Sequence, residues 1–108
     1  MKSLKFSPHL VEKILTGEKI STWRLFDDKD LQRGDRLILI NKETGEEFGT
    51  AVITILYIKT LSTLEDTDWI GHERFNSEEE MYHTYREYYG DKVTPETEVK
   101  IINFQLIA

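Results

Sequence analysis

Polar and apolar residues change period along the chain, and the first change predicts a strand followed by a helix. Lysines alternate with apolar residues over Lys2–Phe6, which is typical of a short strand. Ser7 and Pro8 have the residue types of a helix N-cap and first helical position, and Gly17 suits a helix C-terminus. Between them lies an apolar stripe at helical spacing. We therefore predict a helix over about Pro8–Thr16.

Four further runs of β-branched and apolar residues predict strands. Gly34 and Asp35 mark a turn before one of them, and Asn41–Glu46 forms a hairpin loop between two. The strand after that loop is long enough to contain a bulge or bend near Gly49. The four predicted strands are Ile20–Leu25, Arg36–Ile40, Glu47–Ile58 and Val99–Ile107.

Residues 60–92 have helical character. Thr63–Asp66 resembles a short capped helix, and Ser77–Glu80 is a capping box that opens a longer helix through about Tyr89. On this helix an apolar stripe recurs at helical spacing and indicates packing against a sheet rather than stacking on a bound base. The stripe consists of Met81, Tyr85 and Tyr88 or Tyr89.

Strands joined by hairpins rather than crossovers, with two or three helices, predict the fold class. It is α+β, a small and mostly antiparallel β-barrel with the helices packed around it. At 108 residues the chain is expected to form a single domain, 1–108. It has no cysteine, so disulfides, thiolate catalysis and cysteine zinc sites are excluded. No apolar run is long enough for a membrane span or a signal peptide, so we expect a cytoplasmic protein without a membrane partner.

The net charge of −6 is distributed unevenly. Residues 1–61 carry 10 Lys and Arg against 9 Asp and Glu, whereas residues 62–98 carry 3 against 11. An acidic lobe opposes the phosphate contacts on which polynucleotide binding depends. This charge distribution therefore disfavours a broad nucleic-acid-binding surface, but it is compatible with a pocket that binds a small nucleoside.

The densest chemistry lies in residues 17–24, where an ammonium, a hydroxyl and a guanidinium follow the predicted helix. Thr22 and Arg24 are two residues apart and point to the same face of a strand. Lys19 can join them only if the chain is still turning there, which Gly17 makes plausible. The three scattered histidines lack metal-site spacing, so we expect neither a metal nor a cofactor.

The pattern Gly-x-Lys-x-x-Thr-x-Arg of residues 17–24 resembles the signature of ASCH domains, small barrels related to the PUA domains of RNA-modifying proteins. With Thr at position 22 it is similar to the small bacterial amidohydrolases that deacetylate N4-acetylcytidine. The resemblance implies a PUA-like topology, and it implies Lys19, Thr22 and Glu73 as catalytic residues. Glu65 and Asp68 are alternatives to Glu73.

Amide hydrolysis requires a nucleophile, a base and a proton donor for the leaving amine. Thr22 is the candidate nucleophile and Lys19 the candidate base, because burial and the neighbouring Arg24 both lower a lysine pKa. A carboxylate, here Glu73, is the natural proton donor. Arg24, Trp69 and His72 are the candidate substrate-binding residues.

Three functions remain open from the sequence. The first is an amidohydrolase acting on an N4-acylated cytidine, with a small nucleoside as its partner. The second is a non-catalytic module that binds single-stranded RNA, with Lys19 and Arg24 on phosphates. The third is a ribonuclease that uses the same Lys, Thr and Arg cluster. The sequence does not specify an oligomeric state.

Overall fold

The computed structural model describes residues 1–107, which form five strands and two helices. Two short 3₁₀ turns, Leu61–Thr63 and Asp66–Trp69, follow the fourth strand. The strands and helices are β1 (Lys2–Phe6), α1 (Pro8–Leu15), β2 (Ser21–Leu25), β3 (Arg36–Asn41), β4 (Glu47–Thr60), α2 (Glu78–Tyr89) and β5 (Glu98–Ile107). Neither helix is long and apolar enough to cross a membrane within the described part of the chain.

The five strands form one curled sheet, a half-barrel with the order β1-β3-β4-β5-β2. Three of its strand pairs are antiparallel, as predicted for a mostly antiparallel α+β fold. The expectation of hairpin connections alone was wrong, because β1 and β3 are parallel. Parallel neighbours need a long crossover, and residues 7–35, which contain α1 and β2, provide it. Alternating polarity identifies a strand but carries no information on its direction.

The bend predicted near Gly49 is confirmed. Leu39 pairs with Gly49 whereas the next residue, Ile40, pairs with Glu47, so one residue of β4 is left over as a bulge. A second register shift lies between Ile53 and Ile55. Such bulges bend a strand and increase its twist, which allows the 14-residue β4 to follow the curvature of the sheet.

Two clusters of buried apolar side chains hold the helices on the sheet. The first contains Leu10 and Ile14 of α1, and the second contains Met81 and Tyr85 of α2. The predicted packing stripe on α2 is therefore confirmed for Met81, Tyr85 and the partly buried Tyr89, whereas Tyr88 is half exposed.

The short capped helix predicted at Thr63–Asp66 is displaced, because Leu64 and Glu65 are extended and the capped 3₁₀ turn begins only at Asp66. Asp68 explains the local structure. Its buried carboxylate accepts hydrogen bonds from the Tyr57 hydroxyl at 2.6 Å, the Lys59 ammonium at 2.7 Å and the Glu65 backbone N–H at 2.8 Å. Residues 61–69 are thereby fixed against β4, and they lead the chain into the candidate site.

Candidate functional site

A cavity of about 230 Å³ opens between the start of α1, strand β2 and the C-terminal half of α2. Its wall combines aromatic rings with cationic groups and one carboxylate. The lining residues are Lys5, Phe6, Ser7, Leu10, Thr22, Trp23, Arg24, Lys42, His72, Glu73, Tyr85, Tyr88 and Tyr89. The volume lies just below the roughly 300–1,000 Å³ of pockets for drug-sized ligands, so the cavity suits one small molecule.

Lys19 stands behind this wall, where the chain turns from α1 into β2. Gly17 adopts φ +85°, and the Lys19 backbone N–H donates to the Lys13 carbonyl at 3.0 Å, so the segment is a turn and not yet a strand. The side chain is 3% exposed. Its ammonium donates to the Ser21 carbonyl at 2.6 Å and to the Glu73 carboxylate at 2.5 Å.

Glu73 reaches the cavity from the segment that follows the second 3₁₀ turn. The Gly71 carbonyl accepts hydrogen bonds from the backbone N–H groups of Ile20 at 2.9 Å and Ser21 at 3.1 Å. This pairing places residues 72 and 73 beside β2. The His72 Nδ1–H donates to the Glu73 carbonyl at 2.7 Å, which fixes the tautomer because a carbonyl can only accept.

Trp23 forms the aromatic floor of the site. It is buried, and its ring stacks on His72 with centroids 4.1 Å apart and an interplanar angle of 18°. Trp69, a candidate substrate-binding residue, does not line the cavity. Its ring packs edge-on against Trp23 at 4.4 Å, so it supports the floor from behind.

Thr22 and Arg24 both line the cavity, as does Trp23 between them. Thr22 is 4% exposed, and the ammonium of Lys19 bonds to Ser21 and Glu73 rather than to the Thr22 hydroxyl. The Arg24 guanidinium lies 4.8 Å from the centroid of the Phe6 ring and donates to the Lys5 carbonyl at 3.1 Å. Arg24 therefore joins the two edge strands of the half-barrel.

Burial dominates the electrostatics of the site. It lowers the pKa of Lys19, and the attraction of Glu73 offsets this only in part. Burial raises the pKa of Glu73, but His72 and Lys19 outweigh it and hold this pKa below its usual value. Burial also lowers the pKa of His72 to about 4. His72 is consequently neutral at pH 7, and Lys19 is the cation that stabilises the Glu73 carboxylate there.

The structure brings together Lys19, Thr22, Arg24, His72 and Glu73. The alternative acids Glu65 and Asp68 lie outside the cavity lining, with Asp68 bound to Tyr57 and Lys59. Within residues 1–107 no three potential metal-ligating side chains lie close enough to hold a metal ion.

Sequence reasoning missed nine of the thirteen lining residues, among them two lysines and three tyrosines. The three tyrosines of α2 have a sequence signal, because the helical spacing that buries Tyr85 also carries its neighbours to the cavity. Lys5 and Lys42 have no such signal in the sequence. They meet only because β1 and β3 are parallel, with Phe6 paired to Asn41. The nine missed residues are Lys5, Phe6, Ser7, Leu10, Trp23, Lys42, Tyr85, Tyr88 and Tyr89.

Solved structures share this architecture. The ASCH domain from Lactobacillus crispatus JV V101 superposes with a TM-score of 0.70 at 15% identity, covering 91% of this chain and 70% of that one. The chain has the ASCH-domain fold. Protein EF3133 from Enterococcus faecalis V583 superposes with a TM-score of 0.76 at 15% identity, covering 92% of this chain and 70% of that one. The hypothetical protein PH0355 gives 0.74 at 23% identity, with coverage of 99% and 100%.

Sequence comparison is less informative than structure for this ASCH-domain fold. No protein-family model matches the chain, and no curated protein matches it. At 15–23% identity the structural likeness shows the fold alone and leaves the chemistry to be argued from the site.

Proposed function

We propose that this ASCH-fold protein is a hydrolase that removes the acyl group from N4-acetylcytidine or a related N-acylated nucleoside. The observation that carries the proposal is the contact of a buried lysine with a carboxylate, Lys19 with Glu73 at 2.5 Å, next to a cavity that Thr22 lines. These are the base, proton donor and nucleophile that amide hydrolysis requires.

The Lys19–Glu73 contact supplies the correct protonation states by internal proton transfer. When the ammonium passes its proton to the carboxylate, Lys19 becomes a neutral amine and Glu73 a carboxylic acid. Burial lowers the pKa of Lys19 and so favours the neutral amine, whereas the lowered pKa of Glu73 keeps the ion pair as the resting state from which the transfer starts. The pair is thus a base and an acid in one contact, without a net change of charge in the cavity.

In the acylation step the Thr22 oxygen attacks the acyl carbon while Lys19 takes its proton. The carbon–nitrogen bond breaks as Glu73 protonates the leaving amino group, which releases cytidine and leaves an acyl ester on Thr22. The present separation of Lys19 from Thr22 must shorten for this step, and catalytic contacts commonly tighten when the substrate is bound.

Water completes the reaction in a second step. The Glu73 carboxylate takes a proton from the water that attacks the ester carbon, and Lys19 returns its proton to the departing Thr22 oxygen. Acetic acid leaves and ionises in water, and Glu73 passes its proton back to Lys19, which restores the ion pair. Neutral His72 positions Glu73 through the hydrogen bond to its backbone carbonyl, and Trp23, whose ring stacks on His72, holds the imidazole in place.

The direct test is incubation with N4-acetylcytidine, followed by chromatography of cytidine and acetate. Thr22→Ala and Glu73→Gln are each expected to lower the rate at least about a thousandfold, because residues that act as one catalytic unit are not additive. Thr22→Ser keeps a hydroxyl and should retain part of the activity. Thr54→Ala and Glu43→Gln are matched controls at exposed positions outside the cavity.

Three results would contradict the proposal. Full activity of Thr22→Ala would mean that water, not Thr22, attacks the acyl carbon. Full activity of Lys19→Met would remove the base from the mechanism, and its folding should be checked by circular dichroism because it leaves Glu73 without its cation. A wild-type protein that is inert toward every N4-acylcytidine would reject hydrolysis altogether.

A non-catalytic RNA-binding module is the second candidate function. The cations Lys5, Arg24 and Lys42 and the half-exposed Tyr88 at the cavity favour it, since phosphate contacts and base stacking are the elements of single-strand binding. Submicromolar affinity for single-stranded RNA at physiological salt, without hydrolysis, would support this function over the first. Cleavage of that RNA would instead indicate a ribonuclease.

A further inference from the structure

The charge of the cavity is opposite to the charge of the chain. The chain carries a net −6, yet the lining holds Lys5, Arg24 and Lys42 against a single carboxylate, Glu73. That carboxylate is already neutralised by Lys19. Three cations therefore face the cavity, and no further acidic residue of the cavity wall balances their charge.

Backbone contacts fix the positions from which these cations act. Arg24 donates to the Lys5 carbonyl at 3.1 Å, and the Lys42 backbone N–H donates to the Phe6 carbonyl at 2.8 Å. The three residues come from β2, β1 and the loop after β3, and these bonds tie them into one rim.

The rim cations have free hydrogen-bonding capacity. Within residues 1–107 neither Lys5 nor Lys42 forms an ion pair, although other lysines such as Lys2, Lys59 and Lys100 do. The Lys42 ammonium lies 5.4 Å from the centroid of the Tyr88 ring. The Arg24 Nε is buried without a hydrogen-bond partner among the described residues. Donors in such a state suit an anionic ligand.

We propose that Lys5, Lys42 and Arg24 bind the phosphate of a nucleotide whose base lies in the cavity, so that the substrate class is an N4-acylated cytidine monophosphate rather than the free nucleoside. This rests on the function proposed above. A nucleotide phosphate is nearly a dianion at pH 7 and offers three strong acceptors, and ammonium and guanidinium groups form charge-assisted hydrogen bonds with it.

A mononucleotide fits better than a polynucleotide. The cavity of about 230 Å³ admits one small ligand. A longer strand leaving it would pass the part of the chain that carries 11 acidic against 3 basic residues, which includes α2 at the cavity wall. Repulsion there opposes a run of further phosphates.

The first experiment compares cytidine with cytidine 5′-monophosphate by isothermal titration calorimetry on the wild-type protein. The monophosphate should bind at least about tenfold more tightly at low ionic strength, and the preference should shrink as salt is added. Equal affinities for the two ligands would overturn the proposal. Inorganic phosphate alone should bind weakly, because it lacks the base.

Substitutions then locate the phosphate. Lys5→Gln and Lys42→Gln are each expected to lower the monophosphate preference about threefold, and the double variant should abolish it while cytidine affinity is unchanged. Arg36→Gln is the matched control, because it removes an exposed charge at the far end of β3 from Lys42. A double variant that keeps the full preference would overturn the assignment.

The outcomes separate this proposal from the hydrolase proposal, because cytidine 5′-monophosphate carries no acyl group. The protein could fail to hydrolyse N4-acetylcytidine and its monophosphate, yet still bind cytidine 5′-monophosphate more tightly than cytidine through Lys5 and Lys42. That result would support the phosphate site and reject the hydrolase proposal. Equal hydrolysis of nucleoside and nucleotide retains the hydrolase and overturns the phosphate site. Tighter binding of a 5′-phosphorylated RNA oligonucleotide than of the monophosphate would overturn the mononucleotide assignment.

Discussion

Gly71 connects the segment that carries Glu73 to β2, and its replacement by alanine tests this connection. Its carbonyl accepts hydrogen bonds from Ile20 and Ser21. It adopts φ +74°, and a Cβ built there would lie 2.2 Å from Cγ1 and 3.0 Å from Cδ1 of Ile20. Gly71→Ala must therefore displace either Ile20 or the backbone that leads to His72 and Glu73.

Gly45 provides a control that isolates this steric effect. It has the same φ of +74°, but a Cβ there would meet nothing within 4 Å. A left-handed conformation costs an L-residue about 1–2 kcal/mol, and the lower entropy of the unfolded chain returns about 0.4–1 kcal/mol. Both variants share these contributions. Gly71→Ala adds an overpacking cost of about 1–3 kcal/mol, which is the expected difference between the two.

The assay is urea denaturation of both variants at pH 7, followed by tryptophan fluorescence. The free energy of unfolding should fall by about 1–3 kcal/mol more in Gly71→Ala than in Gly45→Ala. Activity or cytidine 5′-monophosphate binding should also fall at least about tenfold more, because small displacements of a catalytic group are costly. Equal losses of stability in the two variants would refute the steric argument and, with it, the role of Gly71 in placing Glu73.

Three further predictions concern neighbouring elements. Burial lowers the pKa of His72 to about 4. As the pH decreases, the unfolded chain therefore binds a proton near pH 6.5, whereas the folded chain does not bind it until about pH 4. The free energy of unfolding should consequently fall by up to about 3 kcal/mol between these two pH values. In urea titrations at pH 7 and pH 4.5, His72→Gln should reduce this decrease and exposed His83→Gln should not. Asp68→Asn should lower the pKa of Tyr57 from about 12 toward its usual value in an ultraviolet titration, because burial and the Asp68 hydrogen bond both raise it. Ser77→Ala should reduce the free energy of unfolding by about 1 kcal/mol in urea, because the Ser77 hydroxyl caps α2 by accepting from the Glu80 N–H.

Local signals in the sequence accounted for most of the secondary structure. The helix predicted over Pro8–Thr16 is α1 at Pro8–Leu15, since a proline at its start and Gly17 after its end determine its bounds within a few residues. The helix predicted from the Ser77 cap to about Tyr89 is α2, for the same reason. Fold class follows from these elements. Caps, turns and alternation act over a few residues, and the sequence displays them directly.

The arrangement of the site depended on longer-range pairing that the sequence does not display. The parallel register of β1 and β3 brings Lys42 beside Phe6, and no local pattern encodes it. The position of Trp69 was also not visible in the sequence. Its proximity to Glu73 along the chain suggested that it forms part of the cavity wall, whereas the 3₁₀ turn directs its ring behind Trp23. The residues grouped by the signature motif, Thr22 and Arg24, did reach one cavity because they lie on one strand.

Strand β2 contains buried polar groups that lower the free energy of unfolding rather than raise it. Within the described residues Ser21 Oγ, Trp23 Nε1 and Arg24 Nε are buried without hydrogen-bond partners, and an unsatisfied buried group costs about 1–3 kcal/mol. The neighbouring Lys19–Glu73 pair adds a desolvation penalty that an apolar pair of similar volume would avoid. Elsewhere the protein follows its local rules, with capped helices and a bulged strand that matches the curvature of the sheet. Natural proteins depart from such rules mainly where function requires it, and here the departures gather on the strand that bears Thr22 and beside the cavity where acyl transfer and phosphate binding are proposed.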